Sequence, residues 1–288
     1  MTARLRYLCV ETLEQAVDAL GEMGARARVL AGGTDLMVEL RRGKNPPDAV
    51  VDVTRIPSLQ ELRTEPDGTL RLGAALCHSH VADSALAQRR APVLAQACAS
   101  VGSVQVRNLG TLGGNVANAA VAADTLPALA ALRAHFEVAG PQGTRRLSVD
   151  EFFRGPNRTA LGPAEVLVAV LIPLQPAHGA AFLKVGRRKA AAISRLSVAA
   201  MANPETGLVR LSLGAVFPRP QRVEPAEEIL HLGFDDARLE DAGQAAEAFV
   251  RRVSGERPSM RYKLPVVHAT VVKALRQALA EGRSCRHE

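Results

Sequence analysis

Apolar residues recur at helical spacing at Leu13, Ala16, Val17, Leu20 and Met23, with Thr12 placed to cap the first turn, so the pattern predicts an amphipathic helix. The run at 28–31 reads as a short buried strand, Gly32-Gly33-Thr34 as a tight turn, and 35–42 as a helix closed by Gly43. Beyond the Pro46-Pro47 break a strand is predicted at 49–53, completing a small α/β unit.

From Leu59 the pattern changes to a strand at 70–75 and helices at 81–86 and 92–100. The segment 101–132 carries Gly102, Gly110, Gly113 and Gly114, spacing that predicts neither helix nor strand until a helix begins at Thr125, with Pro127 tolerated in its first turn. Strands at 136–139 and 165–172 flank a hairpin-like Gly140-Pro141-Gln142-Gly143, and 173–179 reads as a linker. Strands then follow at 181–185, 196–201 and 208–216, and helices at 225–231, 239–254 and 266–279. Three strands followed by three helices predict an α+β arrangement with the helices on one face of an antiparallel sheet. No fixed-period repeat is present, which excludes a solenoid.

Composition narrows the function classes. The 288 residues, 47% hydrophobic and 23% charged, describe an ordinary folded chain long enough for two domains. No apolar stretch reaches the roughly 18 residues needed to cross a bilayer, and the start meets charged residues too early for a secretory signal. A soluble, cytoplasmic chain without membrane insertion is therefore expected. Cys9, Cys77, Cys98 and Cys285 are scattered, with no CxxC pair, so no metal or iron–sulfur cluster is expected on this chain. His78 and His80, two apart at the start of a predicted helix, lack a third ligand and read as part of a polar turn. The net charge of +7 raises nucleic acid as a partner, but aromatics are only 3% of the chain and the arginines are dispersed. A basic surface, solvated or facing an acidic protein, is the expected reading, and it includes Arg187, Arg188 and Arg195.

Two stretches suggest chemistry. Gly32 and Gly33 carry no side chains to keep a ligand from the backbone, and successive turn amides followed by a helix N-terminus can form an anion-binding nest suited to a pyrophosphate. Thr34 offers a hydroxyl, while Asp35 is expected to cap the helix or hold the loop. The second stretch, Gly110-Thr111-Leu112-Gly113-Gly114-Asn115, offers backbone that can lie against a flat ligand, with amide side chains at Asn115 and Asn118 and a carboxylate at Asp124. Neither a GxxxxGK[ST] loop nor a GxGxxG fingerprint occurs, so the cradle belongs to another fold.

Together, "AGGTDL" at 31–36 and "RNLGTLGGNVANA" with its following aspartate at 107–124 resemble the signature of the FAD-binding (medium) subunit of the molybdenum hydroxylase family, the xanthine dehydrogenase and carbon monoxide dehydrogenase flavoprotein group. Stretches at 159–173, 181–199 and 257–275 extend the resemblance over nearly the whole chain, in the family's order.

The resemblance implies an α+β fold: a two-part FAD-binding PCMH-type domain over 1–175, with subdomains of about 1–56 and 57–175, then a CO dehydrogenase flavoprotein C-terminal-like domain over 176–288. It implies FAD as the cofactor of this chain, with molybdopterin on a large partner subunit and [2Fe–2S] clusters on a small one, and a dimer of heterotrimers. The function implied is electron transfer through FAD to an acceptor such as NAD, oxygen or quinone. The alternative is an assembly or scaffold protein of the same fold without functional FAD.

By the same resemblance Val29, Leu30, Ala31, Gly32, Gly33, Thr34, Asp35 and Leu36 hold the pyrophosphate, and Thr111, Gly114, Asn115 and Asn118 contact the phosphates or ribityl chain. Asp124 binds the adenosine portion, Val101 and Gly102 line the pocket, Leu167 meets the adenine or ribityl side, and Lys184 reaches the polar edge of the flavin ring. A cation there favours reduced, anionic flavin. No side chain is assigned to acid–base catalysis. The chain departs from the family at Ala120-Val121, where members commonly carry a Ser-Pro or similar pair. Its scarce aromatics leave an aliphatic side chain to cover one ring face, and without a cysteine-bearing insertion FAD is expected to be its only redox centre.

Overall fold

The computed structural model describes residues 5–43, 46–188, 191–255 and 260–284. The chain opens with β1 (Arg6–Cys9), α1 (Leu13–Met23), β2 (Ala27–Leu30), α2 (Leu36–Arg41) and β3 (Ala49–Asp52). Thr12 accepts a hydrogen bond from the Gln15 amide, as its position predicts, and α1 ends at Gly24. The α1 side chains Ala16 and Leu20 pack on Ala49 and Val51 of β3. β1 and β2 both pair in parallel with β3, giving the order β1-β3-β2. The apolar pattern gave no sign of β1, because its residues are largely exposed and backbone pairing alone holds it on the edge.

The middle of the chain comprises β4 (Leu62–Thr64), β5 (Leu70–Gly73), α3 (His78–Asp83), α4 (Ala85–Arg90), α5 (Pro92–Ala99), α6 (Val104–Leu109), α7 (Leu112–Asn118) and α8 (Thr125–Ala131). It continues with β6 (His135–Gly140), β7 (Gly143–Ser148), α9 (Val149–Phe152), β8 (Phe153–Gly155), β9 (Arg158–Thr159) and β10 (Val166–Ile172). Five of these strands form an antiparallel sheet in the order β4-β5-β10-β6-β7. Gly140 and Gly143 do close a hairpin, but its second strand is β7; β10 pairs with the opposite edge of β6. The single helix predicted at 81–86 is two short ones, broken at Ser84, whose hydroxyl caps α4 through the Ala87 amide.

The glycine-rich segment departs most from its sequence pattern. Instead of irregular chain it holds α6 and α7, each started by a side-chain cap: Ser103 accepts from Val106 and Thr111 from Gly114. Gly113 is tolerated inside α7 because its bare Cα packs on the next layer: a Cβ there would come within 2.5 Å of the Ala74 Cβ and 2.6 Å of its carbonyl oxygen.

The last part comprises β11 (Gly179–Val185), β12 (Leu196–Asn203), β13 (Leu208–Gly214), α10 (Glu224–His231), α11 (Asp236–Ser254) and α12 (Met260–Ser284). The three strands form the expected antiparallel sheet, in the order β11-β12-β13. Helices do not cover one face alone, however. β12 is buried along its whole length: Val198, Ala200 and Ala202 join the core built with α10, α11 and α12, while Ala199 and Met201 join the core of the middle part. The second face is covered by α5 and α8 from before residue 132, a contact no local pattern could announce.

Cys9, Cys77 and Cys98 are free thiols, and burial pushes the Cys98 thiol well above its ordinary range. Cys285 and residues 257–259 of the closing motif lie outside the described residues. No helix among the described residues is long and apolar enough to cross a membrane.

Candidate functional site

A cleft of about 730 Å³ runs between the turn that follows β2, the segment 101–124, the start of β10, and the end of β11 with residues 191–193. Its size is that of a site for a substantial organic ligand. Every residue that the resemblance assigns to the cofactor lines this cleft except Leu30, which stands behind the turn with its Cδ1 toward Gly33. Val29, Ala31, Gly32, Gly33, Thr34, Asp35 and Leu36 form one wall; Val101, Gly102, Thr111, Gly114, Asn115, Asn118 and Asp124 form the wall opposite; Leu167 and Lys184 reach it from the two sheets.

On the first wall the chain leaves its backbone open. Among the described residues, the amides of Gly32, Gly33, Thr34 and Asp35 have no hydrogen-bond acceptor within the protein. Gly33 has a φ of 68°, a conformation that turns successive amides toward one side. A row of unpartnered N–H groups along a cleft fits a diphosphate, whose oxygens are strong acceptors and need no positive side chain where amides converge.

The protein itself requires a glycine at position 32: a Cβ there would stand 1.9 Å from the Leu109 carbonyl oxygen and 2.8 Å from the Gly110 Cα. One expectation is corrected on this wall. Asp35 does not cap α2 with its side chain; its backbone carbonyl accepts from Val38 and Glu39 instead. α2 spans only Leu36–Arg41, so the turn amides outweigh any helix dipole.

The second wall is the reverse. The amides of Leu112, Gly113 and Asn115 donate to the carbonyls of Leu76, Ala74 and Thr111, and the amide of Gly114 donates to the Thr111 hydroxyl oxygen. This backbone therefore offers no free amide to a ligand at 112–115, although Gly113 and Gly114 still line the cleft. What it presents is side chains: the Thr111 hydroxyl, whose proton remains to donate, and the amides of Asn115 and Asn118. Asn115 Oδ1 is held by the Thr125 hydroxyl at 2.5 Å, which leaves the Asn115 NH₂ group as its donor toward the cleft. At the family departure, the Val121 carbonyl accepts from Ala215 at 3.0 Å, so contact with the last part of the chain fixes the turn there.

Asp124 and Lys184 were assigned to opposite ends of an extended cofactor, but they touch. Lys184 Nζ lies 2.5 Å from Asp124 Oδ2 and donates to the Ser100 carbonyl at 3.0 Å, while Ser194 donates to Asp124 Oδ1. Burial pushes the Asp124 carboxyl up, against the opposing pull of Lys184 and Ser194. The lysine is thus no free cation in the cleft; it ties β11 to the middle part, and any ligand group reaching this corner meets a lysine already sharing its charge. Of the nearby arginines, Arg188 donates to the Ala191 carbonyl and Arg195 stacks on Tyr262; neither lines the cleft.

The lining also includes residues that sequence reasoning did not assign to a ligand, among them Glu165, Asn157, Ile193 and His78. Ile193, 80% exposed, is an aliphatic side chain at the rim, the kind of group expected to cover a ring in an aromatic-poor chain. His78 and His80 separate: His80 is exposed on α3, whereas His78 is 2% exposed and faces the cleft. The pairing of the two in sequence concealed the difference.

Residues 3–175 match the family described as the FAD binding domain in molybdopterin dehydrogenase. The xanthine dehydrogenase FAD-binding subunit of Escherichia coli O157:H7 is 30% identical over 280 residues, covering 95% of this chain and 96% of that one. The carbon monoxide dehydrogenase medium chain of Hydrogenophaga pseudoflava is 31% identical over 282 residues, covering 96% and 98%. The solved structure of carbon monoxide dehydrogenase from Hydrogenophaga pseudoflava, in a form lacking the Mo-pyranopterin moiety of the molybdenum cofactor, superposes with a TM-score of 0.89 at 31% identity, covering 96% of this chain and 98% of that one.

Proposed function

The chain belongs to the family of FAD-binding subunits of molybdopterin dehydrogenases, and from that premise we propose that it is the electron outlet of a multi-subunit hydroxylase or dehydrogenase. In this reading a large subunit carries molybdopterin, a small subunit carries [2Fe–2S] clusters, and electrons leave this chain to NAD, oxygen or a quinone. The cofactor, when bound, supplies a ring that can accept electrons singly and release them in pairs. The chain itself binds and orients.

The observation that carries the proposal is the row of open amides at Gly32, Gly33, Thr34 and Asp35 set across a cleft from Thr111, Asn115 and Asn118. In this assignment the amides hold the diphosphate, with Thr34 and Thr111 adding hydroxyl donors. Val101, Gly102, Leu167 and Gly114 supply close, apolar walls, and Asp124 with Lys184 fixes the corner where β11 meets the middle part. Were Lys184 to meet a polar ring edge, it would do so with its ammonium shared with Asp124, so its influence on flavin potential would be smaller than that of an unpaired cation.

The test is the visible spectrum of the purified chain, before and after reconstitution with FAD, together with the identity of proteins that co-purify. Flavin bands and a molybdopterin-type large subunit are expected. A colourless chain that stays colourless with added FAD contradicts the proposal.

A further inference from the structure

His78 is buried, faces the cleft, and has no task in the protein that its ring nitrogens perform. Its Nδ1 is fully enclosed without a hydrogen-bond partner, and among the described residues Nε2 has none either. A buried polar side chain left unpaired by the protein is costly, so the position of its other edge is informative. The ring Cδ2, which adjoins Nε2, lies 3.5 Å from the point where a Cβ on Gly110 would stand, and that same point is 3.2 Å from the Thr34 hydroxyl oxygen. The Cδ2–Nε2 edge, the Thr34 hydroxyl and the glycine that joins α6 to α7 therefore share one corner. It is the corner where the open amides of the first wall meet the second. The His78 amide donates to the Gly110 carbonyl at 3.0 Å, which anchors the residue at this junction independently of its ring.

We propose that His78 is a ligand of the FAD diphosphate, donating its Nε2–H to a phosphate oxygen beside the amides of Gly32, Gly33 and Thr34. The inference rests on the reading that this cleft holds FAD. Burial, and second the Arg107 guanidinium, push the His78 pKa down to about 4, so the ring is neutral near pH 7 and carries a single N–H. With that proton on Nε2, the enclosed Nδ1 is a bare acceptor, which is less costly to leave unpaired than a buried donor. A neutral donor is also in keeping with the amide row: this end of the cleft holds its anion by hydrogen bonds.

The experiment compares the full-length wild type with His78→Gln, His78→Asn and His78→Leu, each stripped of flavin and titrated with FAD, ADP and riboflavin. Thermal unfolding of the flavin-free proteins is measured alongside. A glutamine amide can reach the place of Nε2, whereas asparagine and leucine cannot. Asn and Leu variants are expected to bind FAD and ADP about tenfold more weakly, with riboflavin binding and melting temperature unchanged and Gln close to wild type. Equal FAD and ADP affinity in all four proteins overturns the inference while leaving the cleft assignment standing. So does a uniform loss that includes riboflavin or tracks a fall in melting temperature. Failure of the wild type to bind FAD or ADP overturns the cleft assignment, and this inference with it.

Discussion

The two glycine-bearing turns that face each other across the cleft use the same residue type for opposite ends. After β2, Gly33 adopts a left-handed φ and the amides around it are left without acceptors. Between α6 and α8, the amides of Leu112, Gly113, Gly114 and Asn115 all have partners in the chain, and the glycines let layers approach: Gly113 against Ala74, Gly114 beneath the Thr111 hydroxyl. The first turn leaves its backbone open toward the cleft, and the second is a packed seam that presents side chains. Gly32 belongs to the second kind although it sits in the first turn, because Leu109 and Gly110 occupy the space its side chain would need. A glycine motif thus does not reveal which of its glycines serves the ligand.

Substitutions separate the two uses. Gly32→Ala has the largest expected effect, since a Cβ 1.9 Å from a carbonyl oxygen cannot be accommodated without parting the two walls. A loss of about 3 kcal/mol of stability, together with loss of bound FAD, is expected from overpacking against backbone, read by denaturant unfolding and flavin content. A variant that keeps both would show that the walls are not joined there. Lys184→Met comes next. It strands the Asp124 carboxyl, 6% exposed on its side chain, for an expected cost of about 3 kcal/mol, and Asp124→Asn in the same chain should recover much of it.

Gly113→Ala and Gly33→Ala test the comparison most directly. At Gly113 the new methyl meets Ala74, so about 2 kcal/mol of stability should be lost while FAD affinity of the folded protein stays within about threefold. At Gly33 the nearest atom is the Met37 Cγ at 3.1 Å, on a flexible side chain that can move, and the cost is the left-handed backbone, about 1 kcal/mol. There the affinity should fall about tenfold, because the amides lose their common direction. The reverse pattern would exchange the roles assigned to the two turns.

The effect that is smallest near neutral pH, and grows toward pH 4, is the pH dependence set by His78. His78, ordinarily near 6.5, titrates at about 4 in the folded chain, so between those values the unfolded chain holds a proton that the folded one refuses. Stability of the flavin-free protein should therefore fall as pH drops from 6.5 toward 4, and His78→Gln should lose that part of the slope. Parallel pH profiles of the two proteins would place His78 in a solvated setting.

Local chemistry made much of this legible. The Thr12 cap and the five apolar positions after it located α1, and the apolar run at 165–172 located β10. Two failures have definite causes. Edge strand β1 has no apolar period, since pairing with β3 and not burial holds it. Helices α6 and α7 were hidden because glycine spacing argues against helix, while the opposing contributions, two side-chain caps and close packing on Ala74, include one contact made between distant residues. The same limit applies at the site: His78 read as part of a polar turn because burial is not written in its neighbours.

The sequence by itself determined which turns carry glycine, which side chains could donate to an anion, and the order of elements around them, since caps, turns and periodicity act within a few residues. The tertiary structure alone decided which amides stay open, that Gly32 yields to Leu109, and that Lys184 meets Asp124 sixty positions away. Those outcomes depend on which parts of the chain come together and on the acceptors each brings, and no local pattern of residues specifies that.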